Sequence, residues 1–301
     1  MVYEMIDAMP DNPIELVKAY VASGIFPGAS FAIVNGSDVQ KHVYGYNRLK
    51  PEPVLLQADM AYDLASVSKV VGTGTLMINL ILSGKVGLDD LLTTQYPEFE
   101  GSGGASLTIR QLLTHTSGID PFIKNRNTLP YDALRAALNQ VTVTADKTFH
   151  YTDVNFILLG FMLETIYAQD LADILQEQVF TPFKMIHTGF TALDRTVATA
   201  WDLPQGLVHD PKAQILGRHT GSAGLFSDLD DLVAFAQAYF AHPAYLALLQ
   251  DYAHADKPRS LAWDLIDLET PSKSMQTHFG PLLLHTGSNG SFILLNLKTQ
   301  Q

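Results

Sequence analysis

The chain has 301 residues, 47% of them hydrophobic and 17% charged, enough to bury a full core in one large domain or two interleaved lobes. Acidic residues outnumber basic ones 31 to 19, and with a formal charge of -12 and no Lys/Arg run to follow a phosphate backbone, nucleic acid is excluded as an expected partner. The absence of cysteine excludes disulfide frameworks, thiolate metal sites and cysteine nucleophiles.

The first residues, Met1-Val-Tyr-Glu-Met-Ile-Asp, have no basic start and reach Asp11, Asn12 and Pro13 before any apolar run of leader length. No secretion signal is expected, and a cytoplasmic protein is the simple reading. Asn12-Pro13 reads as an N-cap and first helical position, with Ile14, Val17, Tyr20 and Val21 on one face and Gly24 as the stop. Two strand-like runs, Ala29 to Asn35 and Asp38 to Tyr46, flank Gly36-Ser37 and predict a hairpin.

From about Ala61 to Phe183 the pattern is helical, with segments Ser66 to Ser83, Thr108 to Thr114, Tyr131 to Gln140 and Val154 to Ala168. The Thr108/Gln111 spacing fits a capping box. The apolar stretch Val70 to Leu82, interrupted by Gly72, Gly74 and Asn79, reads as too short to span a bilayer. The two glycines, costly in a helix, predict that another element packs very close to it. Ser227 reads as the cap of a later amphipathic helix, and strands return at Pro281 to His285 and Ser291 to Leu297. Strands at both ends predict one antiparallel sheet. The expected class is α/β plus all-α: residues 1–60 and 184–301 form a lobe with helices flanking the sheet, residues 61–183 an inserted helical lobe, and a cleft runs between them.

Ser66 and Lys69, three apart at the start of a helix, project on one face, so hydroxyl and amine can touch. A serine hydroxyl needs a base, and lysine can serve if burial and neighbouring cations lower its pKa from about 10.4. Backbone N–H groups at the helix start favour the oxyanion formed on attack at an acyl carbon. By itself the S-x-x-K pattern occurs about once by chance in a chain this long. A second polar cluster, Phe149-His-Tyr151-Thr-Asp153-Val-Asn155, precedes a strongly apolar helix, and a third, His285-Thr286-Gly287, ends the apolar run Pro281 to Leu284. His115, His209 and His219 lack the helical pair spacing of metal ligands, so no metal and no cofactor is expected.

The order and separation of S-x-x-K, Tyr-x-Asp and His-Thr-Gly resemble the serine β-lactamase and penicillin-binding-protein superfamily. The branch most resembled holds class C β-lactamases, D-Ala-D-Ala carboxypeptidases and related esterases. Leu112-Leu-Thr-His115-Thr-Ser-Gly118, Gly206-Leu-Val-His209-Asp210 and Gly221-Ser-Ala-Gly224-Leu-Phe-Ser227 are similar to recurrent stretches there. The resemblance implies Ser66 as nucleophile, Lys69 as proton acceptor and Tyr151 as proton shuttle, with Asp153 holding Lys69 and Tyr151 in place. It also implies an oxyanion hole from the backbone N–H groups of Ser66 and Ser288. His285 and Thr286 would border the substrate, and Gly287 would admit it close to the strand.

His285 stands where many members have lysine, Asp153 where asparagine is common, and Ser288-Asn289-Gly290-Ser291 replaces an aromatic-bearing stretch. The implied activity is acyl-enzyme hydrolysis of a small ester, amide or D-amino-acid peptide, with esterase or carboxypeptidase action favoured over efficient β-lactamase action. The competing reading is a catalytically silent binding or sensing module on the same fold. In the family resembled, a further central strand and a closing helix follow Leu297, and both are expected to be missing here. Either Ala29 to Asn35 then pairs with Ser291 to Leu297, or a second copy covers the gap in a homodimer, and the strand carrying His285 and Ser288 is expected to be loosely held.

Overall fold

The computed structural model describes residues 12–266 and 280–301; residues 1–11, read above for a leader, lie outside them. Helix α1 (Pro13–Ala22) starts as expected, its first turn capped by the Asn12 side chain accepting from Ile14 N. Strands β1 (Gly28–Asn35) and β2 (Asp38–Arg48) form the hairpin with Asn35 opposite Asp38, and β3 (Val54–Leu55) adds to β2. Strand β4 (Tyr62–Asp63) pairs with β5 (Phe226–Ser227), which fixes the entry to the Ser66 segment.

That segment departs from the expected single helix. A 3-10 turn over Ala65–Val67 leads into a π turn over Lys69–Gly74 and only then into helix α2 (Thr75–Leu82). The expected close packing is present at both glycines. A Cβ on Gly74 would lie 2.6 Å from the Lys69 carbonyl oxygen and 2.7 Å from the Ala262 methyl, and one on Gly72 would lie 2.9 Å from Leu175 Cδ1. By length and composition alone Ala65–Leu82 could cross a membrane, yet 78% of it is buried in the protein as a core segment.

The helical middle comprises α3 (Leu92–Gln95), α4 (Ile109–Thr114), α5 (Tyr131–Asn139), α6 (Asp153–Tyr167) and α7 (Leu171–Leu175). The Thr108/Gln111 capping box is formed at α4. Helix α6 is apolar all round and buries every residue from Val154 to Leu163, as a helix at the centre of a core must. Helices α8 (Pro211–Leu216) and α9 (Leu229–Ala241) follow. Asp228, not Ser227, caps α9: its carboxylate accepts from Asp231 N, whereas Ser227 is engaged in β5 and with Thr188.

Strands β6 (Asp264–Ile266), β7 (Leu282–Thr286) and β8 (Phe292–Leu295) form a second three-stranded antiparallel sheet. The two ends of the chain therefore do not share one sheet among the described residues, and β1 and β8 form no ladder. They are linked instead by Gly36 N donating to the Gln300 carbonyl. Strand β7, expected to be loosely held, is hydrogen-bonded on both sides. One hydrophobic cluster spans Leu64 to Leu297 and joins helices and second sheet.

The packing at Gly74 gives a direct test. Gly74→Ala is expected to lower unfolding stability by about 1–3 kcal/mol, since neither a backbone carbonyl nor a core methyl can swing aside. Gly189→Ala, where nothing lies within 4 Å, should stay within about 0.5 kcal/mol. Denaturant titration of both variants checks the difference.

Candidate active site

Lys69 Nζ is the hub of the site. It lies 3.0 Å from Ser66 Oγ, 2.8 Å from Asp153 Oδ1 and 2.8 Å from the Ser222 carbonyl oxygen, and it has no solvent exposure. Three separate segments supply these acceptors. Ser66 comes from the 3-10 turn, where Ala65 adopts φ +45 and Asp63 Oδ1 accepts from Ala65 N. Asp153 comes from the first position of α6, capped by Thr152. Ser222 comes from a bend crossing close over α6 at Gly221, where a Cβ would lie 2.1 Å from the Phe156 carbonyl.

Tyr151 packs against the same ammonium, its ring centroid 5.1 Å from Lys69 Nζ, and its side chain is partly open to solvent. His115 fixes the loop that carries it. The His115 carbonyl accepts from His150 N, its Nδ1 from Thr152 N and Asn155 Nδ2, and its ring packs on Tyr151 at 4.4 Å. Nδ1 is thus an acceptor, which assigns the neutral imidazole proton to Nε2.

The electrostatics modify one expectation. Burial pushes the Lys69 pKa down, as anticipated, but the Asp153 carboxylate and Tyr151 outweigh it and hold it above the usual lysine value. Resting Lys69 is therefore an ammonium. Burial would raise Asp153, yet Lys69 and Lys212 bring it to about 2. His285 is driven down to about 3, and His115 well below its usual range, by burial first and by nearby cations second.

The third motif is placed differently from expectation. His285 is buried, 2% exposed, with its ring 6.5 Å from that of Tyr151, so it stands behind the tyrosine rather than on an open border. Thr286 and Ser288 are exposed, and the Ser288 N–H takes part in no hydrogen bond among the described residues. Gly287 faces the chain itself: the Leu64 carbonyl lies 2.9 Å from where its Cβ would be. Sequence reasoning missed the residues that dock this turn beside Ser66. Asn289 Nδ2 donates to the Asp63 carbonyl and Ser291 Oγ to the Leu64 carbonyl. It also missed Lys212, which bridges Asp153 Oδ2 at 3.1 Å and Asp210 Oδ2 at 2.8 Å. A pocket of about 170 Å³ lies beside these groups, lined in part by Tyr151, Asp153, Lys212, Pro121, Ile123 and Arg126.

Two groups of acidic and histidine side chains, Glu164–Asp170–His219 and His187–Asp228–Asp231, have ligand-like proximity. The second is accounted for by protein partners: Asp231 accepts from Ile186 N, His187 N and Thr188 Oγ1, and Asp228 from Asp231 N and the His187 ring. Glu164 accepts from Arg135, Leu171 N and the His219 ring.

A family model described as Beta-lactamase matches residues 14–299. A protein of Salmonella agona described as "Putative D-alanyl-D-alanine carboxypeptidase" is 27% identical over 64% of this chain and 54% of its own length. The chain thus spans about half the length of that relative. Among solved structures, EstCE1, a hydrolase with promiscuous acyltransferase activity, superimposes with a TM-score of 0.78 at 20% identity, covering 95% of this chain and 90% of its own. A class C beta lactamase gives 0.77 at 18% identity over 95% and 88%.

The neutral histidines predict a pH dependence of stability. In the unfolded chain both become protonated below about 6.5, so the unfolded state binds more protons as pH falls. The stability present above that pH is lost on acidification until the folded rings titrate, which for His285 is at about 3. Up to about 2.7 kcal/mol per pH unit follows from two protons. Melting temperature should fall steadily from pH 6.5 to 4.5; a flat profile would show that the folded rings are charged.

Proposed function

The chain belongs to the beta-lactamase family, and we propose that it is a serine hydrolase acting through an acyl-enzyme on Ser66. The observation that carries this reading is the 3.0 Å contact between Ser66 Oγ and a lysine with no solvent exposure. A lysine is taken out of water at considerable cost, and its contact with a serine hydroxyl suits proton transfer better than packing. The site lies in a cleft between the helical middle, residues 61–183, and the remainder of the chain.

Resting Lys69 is charged and donates to Ser66, so the hydroxyl becomes nucleophilic only after Lys69 gives up a proton. The neutral amine then accepts the Ser66 proton. Tyr151, open to solvent, passes that proton to the leaving atom and later activates water for deacylation. Asp153 orients Lys69. The backbone N–H groups of Ser66 and Ser288 stabilise the oxyanion, while Thr286 borders the acyl group. Asn289 and Ser291 keep the Ser288 turn in register with Ser66 by gripping the Asp63 and Leu64 carbonyls.

His285 decides among substrates. A buried ring kept neutral down to about pH 3 offers no cation to a substrate carboxylate. Losing one charge-assisted hydrogen bond costs about 1.5–3 kcal/mol, or roughly 10–100-fold in kcat/KM. Small uncharged esters are therefore favoured over D-Ala-D-Ala peptides and penicillins.

Steady-state kinetics on a p-nitrophenyl ester, nitrocefin and a D-Ala-D-Ala peptide test the ranking, and the ester is expected to lead by at least about tenfold in kcat/KM. A lead by nitrocefin would refute the assignment of His285. Ser66→Ala should abolish ester turnover and Lys69→Ala should slow acylation by about 10²–10⁴-fold. Full turnover in Ser66→Ala would refute the serine mechanism.

A further inference from the structure

Asp153 offers two carboxylate oxygens, and each is held by a different lysine. Oδ1 receives Lys69 at 2.8 Å, and Oδ2 receives Lys212 at 3.1 Å. Lys212 lies at the second position of α8 and is itself 8% exposed. Its head group is fixed independently of the active site: Asp210, the N-cap of α8, accepts Ala213 N on one oxygen and Lys212 Nζ on the other. A side chain anchored in this way presents its charge to Asp153 whatever the state of Lys69.

This arrangement has a consequence for proton transfer. A carboxylate paired with one lysine alone binds that lysine's proton tightly, because releasing it would strand a negative charge in a poorly solvated place. A second cation on the free oxygen keeps the carboxylate compensated after Lys69 has become neutral. We propose that Lys212 is a positioning residue that lowers the proton affinity of Lys69, beside Tyr151, by compensating Asp153, so that Ser66 is activated at a lower pH than a lone Lys69–Asp153 pair would allow. This inference rests on the serine-hydrolase reading of the same site.

The other groups facing the pair cannot take over that role. From the end of α4 and from β7 it is faced by His115 and His285, both neutral at physiological pH. Arg259, which acts electrostatically on Tyr151, is committed to Asp264 at 2.5 Å. The Ser222 segment contributes a carbonyl dipole but no charge. Lys212 is the cation that touches Asp153 besides Lys69 among the described residues.

The experiment is the pH dependence of acylation, read as the rate of fluorophosphonate labelling or the p-nitrophenyl ester burst between pH 5.5 and 10. In wild type the rate rises along one limb toward high pH. In Lys212→Met the limb should move up by about one pH unit, giving roughly tenfold slower acylation along the limb. Should Lys212→Met not fold, Lys212→Gln carries the test, since it keeps a hydrogen-bond donor and removes only the charge. Lys212→Arg should restore the wild-type limb. Thermal melting of each variant confirms the fold.

A limb that stays in place in Lys212→Met or Lys212→Gln overturns the inference. So does a loss that Lys212→Gln and Lys212→Arg share, the signature of a merely structural role rather than of charge. Failure of wild type to acylate at any pH would instead overturn the serine-hydrolase reading itself, and this inference with it.

Discussion

A lysine ammonium with no exposed surface must find all its hydrogen-bond acceptors within the protein, and the structure around Lys69 is organised by that requirement. Three acceptors from three distant stretches converge on it: Ser66 in the 3-10 turn, Asp153 at the head of α6 and the Ser222 carbonyl in the crossing segment. Removing a partner from such a buried charge costs about 3–5 kcal/mol, which is large beside the net stability of a domain. The constraint reaches well beyond contact distance. The crossing segment brings the Ser222 carbonyl to Lys69 where Gly221 presses against α6, and Asp153 opens that helix directly after its Thr152 cap.

The same constraint shapes the charge pattern outward from the hub. Each nearby cation is paired with a carboxylate: Lys69 and Lys212 share Asp153, Lys212 also meets Asp210, and Arg259 meets Asp264. The two imidazoles between them are left neutral by burial and by these same cations. Neutral at physiological pH, the two rings add no charge of their own beside Lys69 and Tyr151.

Much of this was legible in the sequence where the signal is local. Asn12-Pro13, the hairpin about Gly36-Ser37 and the Thr108/Gln111 box are each decided within a few residues, and the structure forms all three. The S-x-x-K spacing likewise fixes that Ser66 and Lys69 can touch. What the sequence hid depends on contacts between residues far apart and ordinary in type. Lys212 meets Asp153 across 59 positions, and Asn289 and Ser291 grip carbonyls 226 and 227 residues away. Nothing about an isolated lysine, asparagine or serine announces such a partner. The π turn over Lys69–Gly74 was hidden for a related reason, since the glycines signal close packing but not how the backbone accommodates it. The separation of the strands into two sheets is a matter of edges, which periodicity cannot assign.

The central claim is that one hydroxyl, that of Ser66, carries the acyl group. Its most direct test is peptide mapping by tandem mass spectrometry after stoichiometric reaction with a fluorophosphonate at neutral pH. A single adduct on Ser66 is the predicted result. An adduct on any other residue, with Ser66 unmodified, would contradict the account.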